Sequence, residues 1–346
     1  ATHFLVSLIT FSTLLSAVFP LHTKESTDNQ PPRRHFLRTS TDSQGATTVT
    51  LKHVYHHGSS RFPNLIRRKD FNEDSLRAQE LASGMTFTHT VKAINGTNVK
   101  PSNKHTVEEF QEKSKNEQIS LIMDWEDTPM LLPHVEDWET VISLAKMTYN
   151  AYTEITDGDW YELGENYGHV FGDANNDLLI ISIKGTSMGF GAGPTVPNDK
   201  VISDEYPKAK VWLTGHSLGG ALSGLIGLTY GIPVVAFESP GERLPARRLH
   251  LPGPPAIPYD KMNIWHIGHS ADPIFMGMET KCHLGKSSMF DVIGKYKWHL
   301  NIQNHRIRVV IDSILTKWEW DFPEYAVEKD CEDCGVWNFI ENTNTQ

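Results

Sequence analysis

The stretch VWLTGHSLGGALSGLIGLTYG, residues 211–231, constrains the fold more than any other part of the chain. A run of strand-forming residues passes, across Gly215-His216-Ser217-Leu218-Gly219, into a run of small residues. If a strand turns into a helix around a single residue, the positions two before and two after it come into contact. Side chains there would collide, so glycine is required at 215 and 219. The central residue, Ser217, is then held in a sparsely populated backbone conformation, a strain that persists where the surroundings enforce it. Gly220 and Ala221 let the helix lie close to its strand.

Four short apolar runs, DLLIISIKG, KVWLTG, IPVVAFESPG and MNIWHIGHS, each end in glycine or a turn and suit strands buried on both faces. Residues 47–57 (TTVTLKHVYHH) and 85–94 (MTFTHTVKAI) alternate as half-buried strands do. Trp138, Val141, Ile142, Leu144, Ala145, Tyr149 and Tyr152 fall at helical spacing within 135–155, an amphipathic helix able to cover a sheet. Residues 304–318 close the pattern as a last strand or helix. Strand, helix, strand order with buried strands defines an α/β layered domain. With 346 residues, 39% of them apolar, the chain can bury a sizeable core. Its net charge of -10 argues against a nucleic-acid partner. The short basic runs Arg33-Arg34 and Arg67-Arg68-Lys69 read as solvated surface.

The sequence divides into residues 1–23, a signal anchor or transmembrane segment; 24–46, a polar tether; 47–320, the folded domain; and 321–346, a C-terminal tail. Phe4–Pro20 carries no charge and sits at the lower edge of what crosses a bilayer. An uncleaved anchor is the first reading and a cleaved signal peptide the second, and both send the chain into the secretory pathway. Asn95-Gly96-Thr97 is a glycosylation sequon between polar residues, as in a surface loop. In an oxidising lumen Cys331 and Cys334 bridge or pair elsewhere, leaving one thiol over from the set that includes Cys282. Three cysteines without suitably spaced histidine make no zinc site, so no metal is expected. His53, His56 and His57 lie on a strand where neighbouring side chains point to opposite faces, so they read as surface or cross-strand histidines.

Ser217 at such a corner is a candidate nucleophile, and its partners in this architecture follow in the order Ser, Asp or Glu, His. Asp272, just past the strand in NIWHIGHSADPI, is the favoured acid, and Glu238, ending VVAFE, is the competitor. His283, His299 and His305 are the candidate bases; His305 lies in the loop-like IQNHRI. The second GHS, at 268–270, has Asp272 where the corner needs glycine and is not another nucleophile site. The oxyanion donors expected are the amides of Leu218 and of Thr186, after the strand ending at Gly185. The Gly/Pro-rich stretch 187–206 reads either as a lid or membrane-facing loop, with Met188 and Phe190 as its candidate apolar contacts, or as a plain surface loop.

GHSLGGALSGLIG resembles the corner of class 3 lipases, a branch of the α/β-hydrolase fold. More narrowly, GPTVPNDK, PVVAFESPGERLPARRLHLP, HSADPI, METKCHLGK and NHRI resemble the fungal autophagy-related vacuolar lipases, from about residue 47 to 340. The resemblance implies a Ser217, Asp272, His305 triad and hydrolysis of lipid esters without a cofactor. The implied substrates are phospholipids or acylglycerols of autophagic bodies and multivesicular-body vesicles. It also implies a single-pass, membrane-anchored protein delivered through ER, Golgi and multivesicular body to the vacuole lumen. Members of that family carry cysteine-rich segments before the corner strand and before METKCHLG. Here NDKVISDEYPKAKVWLTG and IFMGMETKC run straight through, which implies an altered lid and a Cys282 without its family partner. An esterase of soluble esters and a non-catalytic, membrane-tethered lipid binder are the alternative readings.

Overall fold

A computed structural model of the protein describes residues 45–57, 66–102, 124–153, 155, 167–185, 205–278, 282–329 and 331. Alternating apolar and polar residues form β1 (Ala46–His57), which pairs antiparallel with β2 (Ile66–Asp70) and with β3 (Thr88–Pro101). Between β2 and β3 runs α1 (Glu73–Ser83), started by an Asn72 capping box and stopped by Gly84 in the left-handed region. Next come β4 (Trp125–Pro133), α2 (Trp138–Asn150), β5 (Tyr167–Gly172) and β6 (Leu178–Ile183). They are followed by β7 (Lys210–His216), α3 (Leu218–Tyr230), β8 (Val234–Phe237), β9 (Ile264–His269) and β10 (Lys286–Phe290).

The described strands form one ten-stranded sheet in the order β10-β9-β8-β7-β6-β5-β1-β3-β4, with β2 also on β1. Strands β6 to β10 are parallel and the remainder antiparallel. This is the mixed sheet of an α/β hydrolase. Every residue of β6, β8 and β9 is buried, as the apolar runs require for strands covered on both faces.

The pleat splits the core in two. Leu178 and Ile180 of β6 join a cluster with Val141, Leu144 and Met147 of α2, while Leu179, Ile181 and Ile183 join Leu225 and Leu228 of α3. The α2 face also carries polar ties: Thr148 Oγ1 lies 3.0 Å from Thr214 Oγ1, and Ser182 Oγ donates to the Met147 carbonyl. These fix the height of α2 against the ends of β6 and β7, next to Ser217. The closing segment 304–318 is helical, Ile307–Val309 running into a π turn at Val310–Leu315, and its apolar side completes the α2-face core.

Several expectations change. Asn95 is exposed but lies within β3, paired with Leu131 of β4, and not in a loop. Cross-strand pairing carries this polar, glycine-containing stretch in extended form where local propensity does not. His53 and His56 are buried; His53 faces Asp70 across β1 and β2, with Nδ1 2.8 Å from Asp70 Oδ1 and Nε2 2.6 Å from the Tyr206 hydroxyl. His53 thus keeps the cross-strand reading, and neither ring is at the surface, because side chains pack on both faces of this strand.

Cys282 has a partner after all: it forms a disulfide with Cys331, at a sequence separation of 49. Residues 321–329 and 331 are accordingly no free tail. Ala326 bridges Ser287 on β10, and Phe322 and Tyr325 pack on the core. The anchor at 1–23, nearly all of the tether at 24–46, and Cys334 lie outside the described residues. Among the described residues no helix is long and apolar enough to cross a membrane.

Candidate active site

Ser217 stands between β7 and α3 with φ 57 and ψ -132, a left-handed φ that a non-glycine residue adopts only under constraint. The constraint is visible in the hydrogen bonds. Its N–H donates to the Phe237 carbonyl at the end of β8 (3.0 Å), and its carbonyl accepts from Gly220 and Ala221 in the first turn of α3. A Cβ at Gly215 would land on the Gly219 backbone, and one at Gly219 on the Ile183 carbonyl, so both positions exclude side chains. The corner lifts a half-buried hydroxyl above the sheet.

The Ser217 hydroxyl donates to His305 Nε2 at 2.8 Å, and His305 Nδ1–H donates to Asp272 Oδ2 at 2.7 Å. His305 ends a short 3-10 turn, Ile302–His305, in the loop before the closing helix. Asn301 N–H and the Asn304 side chain tie that loop to the Ala271 carbonyl, beside Asp272. Asp272 is fully buried at the turn after β9, and its Oδ1 accepts the Ile274 N–H at 2.8 Å. Burial alone would raise its pKa. The charge of and hydrogen bond from His305, with a further hydrogen bond from Glu238, overcome this and hold the carboxyl well below the usual carboxylate range. These partners favour the Asp272 anion, which fixes the imidazole with its proton on Nδ1 and leaves Nε2 as the acceptor facing Ser217.

A second set of bonds braces this row. His216 Nε2–H donates to the His305 carbonyl at 2.6 Å, and its Nδ1 accepts the Tyr152 hydroxyl at 2.8 Å. The Gly185 N–H in turn donates to the Tyr152 oxygen. Burial pushes the His216 pKa down to about 3, so the ring stays neutral and keeps this donor and acceptor pattern. The sequence does not mark His216 and Tyr152 as members of the site, beyond the place of His216 directly before the serine.

The Leu218 amide lies in the first turn of α3, where N–H groups have no acceptor within the helix. Thr186 lies outside the described residues, as do Met188, Phe190 and all of 187–206 except Glu205 and Tyr206. His299 is exposed. His283 is buried elsewhere, with Nδ1 2.9 Å from Glu328 Oε1 and Nε2–H donating to the Ser239 carbonyl at 2.7 Å. Glu238 contacts Asp272 and not His305.

Among the described residues, Glu242, His266 and His283 bring candidate ligand atoms within 4.8 Å of one another. His266 Nε2 lies 2.9 Å from Glu242 Oε1, its Nδ1 2.7 Å from Ser239 Oγ, and both His283 nitrogens face acceptors. The His283 ring, donating from both nitrogens, has no lone pair for a metal, while His266 Nε2 and Glu242 Oε2 make no hydrogen bond. A cavity of about 320 Å³ lined by Asn98, Ile232, Pro258 and Asn263 opens at the other ends of β8 and β9 from Ser217, and no residue of the site lines it.

The mixed sheet and the serine corner define a serine hydrolase fold of the α/β type. Residues 196–232, which contain the corner, match the family model described as Lipase (class 3). The chain is similar to "Putative lipase ATG15" of Yarrowia lipolytica, 33% identical over 404 residues covering 85% of this chain and 73% of the relative. It is also similar to "Putative lipase ATG15" of Kluyveromyces lactis, 32% identical over 412 residues, covering 88% and 77%. The chain belongs to this lipase family. The Pichia angusta relative is 35% identical over 64% of this chain, which spans 58% of that relative's length. Aligned spans longer than the 346-residue chain mean that these relatives carry segments without a counterpart here. Among solved structures, Lip2 lipase from Yarrowia lipolytica overlaps 36% of this chain and 60% of its own at 17% identity and a TM-score of 0.24.

Proposed function

We propose that the protein is a serine lipase that hydrolyses ester bonds of membrane lipids, phospholipids or acylglycerols, in the vacuole lumen, where it breaks down autophagic bodies and multivesicular-body vesicles. The observation that carries the chemistry is the unbroken row Ser217 Oγ–H to His305 Nε2, His305 Nδ1–H to Asp272. Neutral His305 takes the serine proton as Oγ attacks the ester carbonyl. The imidazolium then protonates the departing alcohol, leaving an acyl-serine. His305 next draws a proton from water, which attacks the acyl carbon, and Ser217 recovers its proton as the fatty acid leaves. The amides of Leu218 and Thr186 are the proposed oxyanion donors, and loss of one such donor typically lowers turnover by about 10²- to 10³-fold. No metal or cofactor takes part.

The membrane setting rests on the apolar run Phe4–Pro20, read as an anchor, and on the family to which the chain belongs. The test is release of fatty acid from phospholipid and triacylglycerol vesicles by the full chain and by Ser217→Ala. Release lost in the variant supports the reading; release unchanged in the variant, or hydrolysis of soluble esters alone, rejects it.

A further inference from the structure

Building on the serine-hydrolase reading above, we propose that Glu238 is a positioning residue of the site, a neutral carboxylic acid whose O–H donates to the Asp272 carboxylate. Glu238 directly follows β8, next to β9 and the turn that carries Asp272, and both side chains are sealed from solvent. Its φ of +46 is left-handed, a conformation that a non-glycine residue adopts only under constraint. Its N–H is held by the Ile267 carbonyl at 2.9 Å, so the strained corner is fixed by the sheet.

The carboxyl is short of donors. Oε2 accepts only a long contact, 3.4 Å, from the His269 N–H, and Oε1 has no hydrogen-bond donor. The His269 ring nitrogen 3.7 Å from Oε1 gives its proton to the Asn304 carbonyl instead. What Glu238 does meet, at hydrogen-bonding range, is the Asp272 carboxyl. Two buried carboxylates in contact repel, and Glu238 is left without a close donor. One proton between them removes both problems.

The partners decide which carboxyl holds that proton. Asp272 already receives two good donors, His305 Nδ1–H at 2.7 Å and Ile274 N–H at 2.8 Å, both of which favour its anion. Glu238 receives only the His269 contact. The titratable groups facing Glu238 are thus Asp272 and His269 on β9 and its turn, with His305 on the far side of Asp272. Burial pushes the Glu238 carboxyl well above the usual range, and the charge of Asp272 and the hydrogen bond to it add to the rise.

An O–H donated to Asp272 draws off part of the negative charge that would otherwise stabilise the imidazolium of His305. A second consequence is rigidity: Asp272 is gripped from the β8 side as well as by His305.

The experiment measures fluorophosphonate labelling of Ser217 and hydrolysis of p-nitrophenyl butyrate against pH, for the full chain and for Glu238→Gln and Glu238→Leu. Gln keeps a neutral donor and Leu keeps the volume without one. The expected result is an acid limb that stays in place in Glu238→Gln, whatever its maximal rate, and moves up by about one pH unit in Glu238→Leu. Coincident limbs in all three proteins overturn the proposal, as does a Gln variant that shifts as far as the Leu variant. Infrared spectra at pH 7 decide the protonation state even if Glu238→Leu does not fold. A protonated-carboxyl stretch present in the wild type and lost in Glu238→Gln is expected, and its absence from the wild type overturns the proposal. Failure of Ser217 to label at any pH would reject the hydrolase reading, while the infrared band would still decide where the proton sits.

Discussion

Replacing Cys282 and Cys331 together by serine opens a covalent loop with a sequence separation of 49. In the chain-entropy account, closing a loop of that length stabilises the fold by about 4 kcal/mol, because the unfolded chain loses freedom. The native contacts of 321–331 remain in the variant: the Ser287–Ala326 bridge with bonds of 2.8 and 2.9 Å, and the Arg243 guanidinium reaching the Glu328 carbonyl. The loss therefore falls on the unfolded state and not on the site. In a domain of this size each kcal/mol moves Tm by about 2–4 °C, so the variant should melt about 8–16 °C lower. The assay is thermal unfolding of the full chain followed by tryptophan fluorescence, with wild type in reductant as the control. Reduced wild type should match the double variant. A Tm within about 2 °C of oxidised wild type would refute the loop argument.

Three further outcomes are expected. The Glu328–His283 pair gives stability a pH window. Glu328, lowered to about 2 from its ordinary 4.5, contributes stability above pH 4.5 that is lost as pH falls through its folded value; His283, raised above 6.5, contributes stability below pH 6.5 that is lost as pH rises. Wild-type Tm should therefore peak between pH 4.5 and 6.5, and Glu328→Gln should flatten the peak; a profile of unchanged shape in the variant would discount the pair. His216→Leu removes the bond to the His305 carbonyl and should lower kcat by about 10- to 100-fold with little change in KM. A rise in KM alone would mean that His216 contacts substrate and does not hold the base. His305→Gln should lower kcat by at least about 10³-fold, because only an unprotonated ring nitrogen accepts from Ser217; turnover within about 10-fold of wild type would contradict its role as base.

The parts of the fold legible in the sequence are those whose cause is local. Leu178–Ile183 and Val234–Phe237 read as buried strands because unbroken apolar runs have few other uses, and the corner at Ser217 reads from the steric demand for Gly215 and Gly219. What the sequence hides depends on pairing at a distance. Asn95 to Pro101 is polar and looks like a turn, yet it is a strand because β4 supplies its hydrogen bonds. Cys331 could not be matched to Cys282 from spacing, since the pairing follows from β10 drawing in 326–331. Glu238 was visible only as a rival to Asp272. That the two carboxyls touch is a matter of how β8 and β9 end side by side, and no periodicity reports it.

The most direct measurement is covalent labelling of the full chain by a fluorophosphonate probe, with the modified residue located by mass spectrometry. One adduct is expected, on Ser217, abolished in Ser217→Ala and slowed at least about 10³-fold in His305→Ala. An adduct on another residue, or labelling as fast without His305 as with it, would contradict it.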